Sequence, residues 1–324
     1  MRTAFFRGSD NRTIALEDDR AIRSALEDTS GLLWVDLDQP DRGEGEILST
    51  IFAFHHLAID DCYNLHIDPA KVDDYDSYLF IIAQAIQYEP LSEHLSTTEL
   101  NMFVGPNYVV SFHQQPLPFL EDLRHRCVEN GPVLHRGADF LAHELLDGLV
   151  DDYQPAVEQL DETLSQVEAI VLVRPEPELL QDILTLKRNV QRLRRMVIPQ
   201  RDMVNRIARG EFPNIIRPET HVYFRDVYDH ISRVEQLVES VRDLADGVLN
   251  TYLSALNNRM NEVMKTLSVV ASIILPLTLI ASIYGMNFHN MPELDWDWAY
   301  FAVLGVMALI AAGLVAFFRL RRWF

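Results

Sequence analysis

A run of residues near the end of the chain carries the chemistry most open to a function. Asn261, Met264, Ser268, Ala271, Leu275, Thr278, Ser282 and Gly285 follow one another at steps of three and four, so they share one helix face. Most are small or hydroxyl-bearing, and Leu267 to Ile283 contains no charged residue. In hydrocarbon such a stripe has two uses. Small side chains let helices pack closely, or the face lines a water-filled path for an ion. Two helices cannot enclose such a path, so the second use requires several copies of the chain with this face turned inward. Pro276 withholds the amide that would bond the Ser272 carbonyl, which is tolerable where that carbonyl meets water or another helix.

Other reactive side chains form no recognisable centre. His55, His56, Cys62 and His66 are zinc-ligand types, but their spacing fits no standard zinc site, and partly buried helix positions explain them. Asp60-Asp61 and Asp73, Asp74 and Asp76 read as caps and solvated loop acids. Cys62 and Cys127 lack a CxxC partner and fit a reducing compartment. There is no phosphate loop, nucleophile elbow or HExxH, which argues against an enzyme and against a nucleotide partner. The formal charge of −20 argues against nucleic acid and favours cations, although acidity alone also serves solubility.

The elements that must hold the stripe are membrane spans. Leu267 to Ile283 and Ala299 to Phe318 are free of charge and long enough to cross about 30 Å of hydrocarbon at roughly 1.5 Å per residue. The N-terminus, Met1-Arg2-Thr3-Ala4, lacks the apolar core of a signal peptide, so the two spans are expected to carry the targeting. Arg319, Arg321 and Arg322 follow the second span, and the loop from Asn287 to Trp298 has no Lys or Arg. The positive-inside rule then puts both termini in the cytoplasm of a multi-pass protein of the cell (inner) membrane.

Residues 1–138 read as a cytoplasmic α/β domain in an overall α+β body. Leu32 to Leu37, Leu79 to Ile86, Leu100 to Val104 and Tyr108 to Phe112 are strand-like, the last two joined as a hairpin by Gly105-Pro106-Asn107. Ile47 to Phe54 and Phe119 to Val128 have helical spacing. Residues 139–212 predict an antiparallel helical hairpin, broken at Arg174-Pro175-Glu176-Pro177, with an acidic first helix and a basic second one. Residues 219–284 predict one stalk helix, roughly 100 Å long at 1.5 Å per residue, which becomes the first span at about 266–284. Val227, Ile231, Val234, Val238, Val241, Ala245, Val248, Tyr252 and Ala255 recur with a 3.5-residue period, the mark of helices wound on one another. A loop at 285–298, the second span at 299–318 and a basic tail at 319–324 complete the plan.

Tyr284-Gly285-Met286-Asn287-Phe288 followed by Met291-Pro292-Glu293-Leu294 resembles the CorA family of divalent cation channels. Leu275-Pro276-Leu277-Thr278, Tyr223-Phe224-Arg225-Asp226-Val227-Tyr228-Asp229-His230 and Arg321-Arg322-Trp323-Phe324 are similar to that family too, as are Trp34-Val35-Asp36 and His56 to Ile86 more loosely. The resemblance implies a homopentameric funnel in the lipid bilayer, passing Mg2+ inward, with Co2+ and Ni2+ as further candidate substrates. It implies that Gly285, Met286 and Asn287 form the selectivity filter, where Asn287 would otherwise be a helix C-cap. Neutral amide oxygens accept hydrogen bonds from an ion's waters without trapping it as carboxylates would. Glycine at 285 would allow close backbone approach or a positive φ. Thr278 and Asn261 correspond to further polar rings, and Met264, Leu267 and Leu275 to apolar constrictions, Leu275 standing where the family often has methionine.

The same resemblance implies that cytoplasmic Mg2+ closes the channel by bridging subunits at Asp226, with Glu89 as the partner and Glu93 and Glu99 nearby. Glu293, Asp295 and Asp297 would concentrate cations at the outer mouth. Arg319, Arg321 and Arg322 are topology determinants or a basic ring at the inner one. Two alternatives remain open: a zinc transporter of the same superfamily, and a membrane-anchored cation sensor or scaffold that does not conduct.

Overall fold

The computed structural model describes residues 1–9, 12–64, 66–89, 94–128, 132–287, 291–292, 296–321 and 323. The chain divides into two compact units, Met1–Ile170 with Glu176–Leu249, and Val171–Pro175 with Asn250–Phe324.

The first unit is built on a mixed seven-stranded sheet: β1 (Arg2–Arg7), β2 (Thr13–Ala15), β3 (Leu32–Asp38), β4 (Lys71–Asp74), β5 (Leu79–Glu89), β6 (His94–Val104) and β7 (Tyr108–His113), in the order β2-β1-β3-β7-β6-β5-β4. Every neighbour pair is antiparallel except β3 with β7, which run parallel from Leu33↔Tyr108 to Asp38↔His113. The hairpin expected at Gly105-Pro106-Asn107 forms, and Asn107 Nδ2 ties it to the Leu26 carbonyl at 3.0 Å. The near-continuous apolar run of β5 follows from burial on both faces. Phe80, Ile82, Phe103, Val110 and Phe112 meet a layer from α1 (Asp19–Glu27), α2 (Ile47–Thr50) and α3 (His56–Tyr63). On the other face, strands β5, β6 and β7 pack on α5 (Ala138–Asp151), which follows α4 (Pro118–Val128).

A polar chain crosses the buried parallel pair. Trp34 Nε1 donates to Ser111 Oγ at 3.0 Å, and Ser111 donates to Asp36 Oδ1 at 2.5 Å. His113 Nε2 lies 3.5 Å from Asp36 and its Nδ1 3.5 Å from Asp38, while Arg124 Nη1 approaches Asp36 at 3.2 Å. Burial alone would push the His113 imidazole down, but Asp36, aided by Asp38, outweighs it and raises the value above 6.5.

The remaining helices are α6 (Tyr153–Val173), α7 (Pro177–Ala208), α8 (His221–Tyr284) and α9 (Ala299–Leu320). Two sequence expectations are corrected here. The continuous pattern from Phe140 to Val171 is interrupted at Asp152, because Pro155 in the first turn of α6 has no amide to bond Asp151 and its ring crowds that carbonyl. The basic residues of α7 also pair elsewhere than expected. Their ion pairs to another helix, among the described residues, run to α8: Lys187 to Asp246 at 2.6 Å, Arg201 to Glu235 at 2.6 Å, and Arg194 to Glu239.

Candidate ion pathway and regulatory site

α8 carries both sets of candidate residues. Its 3.5-residue stripe is buried from Val227 through Tyr252, each position at most 3% exposed. Beyond Tyr252 the character changes. Asn261, Met264, Leu267, Leu275 and Thr278 are all exposed in the single chain, Leu275 by 70%. The structure thus places every residue proposed for the pathway on uncovered helix surface. Among the described residues two helices, α8 and α9, are long and apolar enough to cross a membrane, and only 6% of the apolar window of each is buried.

Pro276 sits inside α8 without ending it. Thr278 Oγ1 donates to the Ile274 carbonyl at 2.9 Å, which fixes the hydroxyl and leaves its lone pairs open as acceptors. At the helix end the Gly285 amide bonds Ala281 at 3.0 Å and the Met286 amide bonds Ile283 at 3.3 Å, a tightened last turn. Gly285 does not have a positive φ; among the described residues the glycines that do are Gly137 and Gly210. A Cβ there would lie 3.3 Å from the Ala281 oxygen, a tight contact with the preceding turn. Met286 and Asn287 follow, both exposed.

Within the second unit α9 runs back along α8. Ala281, Tyr284 and Gly285 share a cavity of about 660 Å3 with Ala299, Tyr300 and Leu304. At the opposite end Lys265 Nζ lies 5.7 Å from the centre of the Trp323 ring. Arg319 falls inside α9, which ends at Leu320, two residues beyond the end expected at Phe318, and Arg321 lies 5.8 Å over Phe317. Asp297 is exposed. Glu293, Asp295 and Arg322, like Phe288 and Glu93, lie outside the described residues.

Asp226 stands on α8 about one turn before His230, and their side chains lie 3.9 Å apart. His230 Nδ1 is 3.8 Å from Asp147 and 3.7 Å from Asp151, both on α5. One ligand atom from each of Asp147, Asp151 and His230 falls within 4.8 Å of the others. Burial, then the Asp151 carboxylate, raises the Asp147 carboxyl, and its Oδ1 has no hydrogen-bond partner. Asp226 was read from the sequence as a regulatory residue, but Asp147, Asp151 and His230 were missed as its neighbours. Their signal was i,i+4 spacing on two helices, Asp147 with Asp151 and Asp226 with His230, hidden among many other acids. Glu89 ends β5 opposite His94, and its side chain is not described. Glu99 accepts from the Asp68 amide, and burial pushes its carboxyl up to about 7.

The zinc-ligand types have structural roles. His55 caps α3 by accepting from the Leu57 amide at 3.3 Å, and buried Cys62 donates to Ala58 at 3.2 Å. Asp61 and Asp73 pair with Lys71 at 2.8 and 3.2 Å.

The start of α8 is anchored by a buried carboxylate. Asp139, 2% exposed, accepts from Arg217 Nε at 2.9 Å, from Arg217 Nη2 at 2.6 Å and from Thr220 Oγ1 at 2.7 Å. Burial alone would raise Asp139, but these donors outweigh it and hold it below 3.8.

The family described as CorA-like Mg2+ transporter protein matches residues 29–322. The chain belongs to the CorA family. The cobalt/magnesium transport protein CorA of Thermotoga maritima is 37% identical over 298 residues, covering 91% of this chain and 84% of that one. The complete structure of the CorA magnesium transporter from Methanocaldococcus jannaschii superposes with a TM-score of 0.86 at 23% identity, covering 98% and 97% of the two chains. The cytoplasmic domain of ZntB from Vibrio parahaemolyticus shares the fold less closely, with a TM-score of 0.59 at 11% identity over 80% of this chain and 98% of that one. CorA membership makes the chain a membrane transport protein and not an enzyme. It also accounts for the fold: a mixed-sheet domain, a long helix and two candidate membrane helices at the C-terminal end.

Proposed function

We propose that the chain is one subunit of a homopentameric channel that carries hydrated Mg2+ into the cell, with Co2+ and Ni2+ as further substrates. The observation that carries this reading is the exposed stripe of α8 ending in Gly285, Met286 and Asn287. Five copies of that face enclose a path that one chain cannot. Five Asn287 amides then meet the incoming ion and bond its waters, which suits a cation that dehydrates reluctantly. Thr278 and Asn261 supply inner polar rings. Leu275, Leu267 and Met264 form apolar constrictions between them, able to close by dewetting. Glu293, Asp295 and Asp297 draw cations to the outer mouth, and Arg319, Arg321 and Arg322 fix both termini in the cytoplasm. A divalent ion crossing about 100 mV gains roughly 4.6 kcal/mol, so no chemical fuel is required.

Cytoplasmic Mg2+ acts as the closing ligand at Asp226. The neighbouring donor set supports this reading: the carboxylates of Asp147, Asp151 and Asp226 are hard oxygen ligands suited to Mg2+, and His230 is placed to bond a water of the ion. Glu89 remains the proposed partner from the adjoining subunit. When the ion leaves, like charges repel and the stalks separate.

Flux into liposomes holding the purified protein, under an imposed potential, tests the reading. Mg2+ influx is expected in the wild type and its loss in Asn287→Ala. Zinc flux without Mg2+ flux would give the zinc-transporter reading, and absence of either would give the non-conducting sensor.

A further inference from the structure

The chain carries a formal charge of −20, yet one pocket of its first unit is walled by basic residues, three of them arginines. The cavity measures about 330 Å3 and is bounded by Arg7, His135, Arg136 and Arg217, with no Asp or Glu among the described residues that line it. Two of these cations have partners. Arg217 is held by Asp139, and Arg136 lies 4.0 Å over Phe140 and 4.7 Å over Tyr223. Arg7 is different. It is only 5% exposed, its Nη1 donates to a neutral acceptor, Thr13 Oγ1 at 3.2 Å, and its Nε has no hydrogen-bond partner. No carboxylate among the described residues pairs with it.

A guanidinium stays protonated at any physiological pH, and burying one without a counter-charge is strongly unfavourable. The fold nonetheless keeps it at the wall of an open cavity, which calls for an anion. The start of α5 adds to the demand. Gly137, with φ +98°, gives this 14-residue helix no side-chain cap, and Gly137 and Ala138 both line the pocket. The wall therefore includes the positive end of a helix dipole, where Asp139 Oδ1 takes up the Phe140 amide at 2.9 Å. The positive φ favours glycine there, and a Cβ would in addition meet Arg217 Nη2 at 2.5 Å.

We propose that this pocket binds a phosphate group, either free or as the phosphomonoester of a small molecule, with Arg7 as its buried counter-charge and Arg136 as a second donor. The occupant would sit beside the Asp139–Arg217 clasp that holds the start of α8, so its binding stabilises that junction.

Thermal unfolding of the full-length oligomer in detergent tests this, comparing inorganic phosphate, a nucleoside monophosphate and sodium chloride at equal ionic strength. The midpoint is expected to rise and saturate with phosphate or monophosphate and to stay unchanged with chloride, as a ligand of the native state requires. A larger rise with the monophosphate assigns the phosphomonoester, and an equal rise assigns free phosphate. Arg136→Ala, at an exposed position, weakens binding about tenfold by removing a charge-assisted donor. Arg7→Met abolishes the phosphate effect and, without phosphate, unfolds no earlier than the wild type. If that variant does not fold, the wild-type response and Arg136→Ala decide. A wild-type midpoint indifferent to phosphate overturns the proposal. So does a folded Arg7→Met chain that no longer assembles, or loss of stability in Asp10→Asn, since either assigns the counter-charge to a protein carboxylate.

Discussion

Asp139 and His113 show how single groups tie this molecule to pH in opposite directions. The Asp139 carboxyl is held below 3.8, so the stability it contributes is present above about that pH and is lost as pH falls through the folded value. Asp139→Asn should cost roughly 1–3 kcal/mol at neutral pH, since Arg217 is half exposed and partly screened, and should flatten the acid limb of a thermal-midpoint profile. His113 is raised above 6.5, so its contribution is complete below about 6.5 and fades as pH rises through the folded value. His113→Gln should remove that alkaline decline in the same profile. Neither group stood out in the sequence. Asp36, His113 and Arg124 come from separate segments, and only the parallel pairing of β3 and β7 makes them neighbours. The Gly285-Met286-Asn287 stretch was legible because its meaning depends on local order along the chain.

At the scale of elements, helical period was a sound guide and strand content was not. β1, β2 and β4 went unread: the edge strands β2 and β4 are only three and four residues long, and charges such as Arg2, Arg7, Lys71 and Asp74 blur the alternation of β1 and β4. The long helix was legible from its unbroken 3.5-residue repeat, and the structure divides that helix in two. Its first part is buried, and Ile231 is fully so. Ile231→Ala is expected to cost about 2–5 kcal/mol in thermal unfolding of the full chain. Leu275, 70% exposed, should behave otherwise. Leu275→Ala leaves the midpoint nearly unchanged but raises Mg2+ leak in liposomes by widening an apolar constriction. The charge pattern misled: opposite charge on α6 and α7 suggested a pair, whereas the cations of α7 serve α8.

For the whole molecule, the proposed function makes the cluster beside Asp226 a link between ion binding and assembly. Under that proposal millimolar Mg2+ should protect the α8 stalk of the wild-type oligomer from protease, because a bridging ion would hold it against its neighbours. Asp147→Asn combined with Asp226→Asn should abolish that protection while flux at low internal Mg2+ persists. Protection that survives both changes would place the sensor elsewhere. Fold and family were readable from the sequence because apolar spans, motif and period are all properties of neighbouring residues. The cluster was not, because α5 and α8 meet only after some 80 residues of intervening chain are folded back, roughly 120 Å of helix if extended at 1.5 Å per residue.

The parallel pairing of β3 with β7 also has a consequence for birth on the ribosome. Ser111 closes its bond to Asp36 across 75 residues of chain. At about 5–20 residues per second of synthesis, the open edge of β3 waits roughly 4–15 s for its partner. Through that interval Trp34 and Asp36 lack the groups that satisfy them, and an apolar strand edge is available to other nascent chains. A chaperone that holds this segment until residue 113 emerges would set the yield of folded protein, and a ribosome stalled before β7 would release an aggregating fragment.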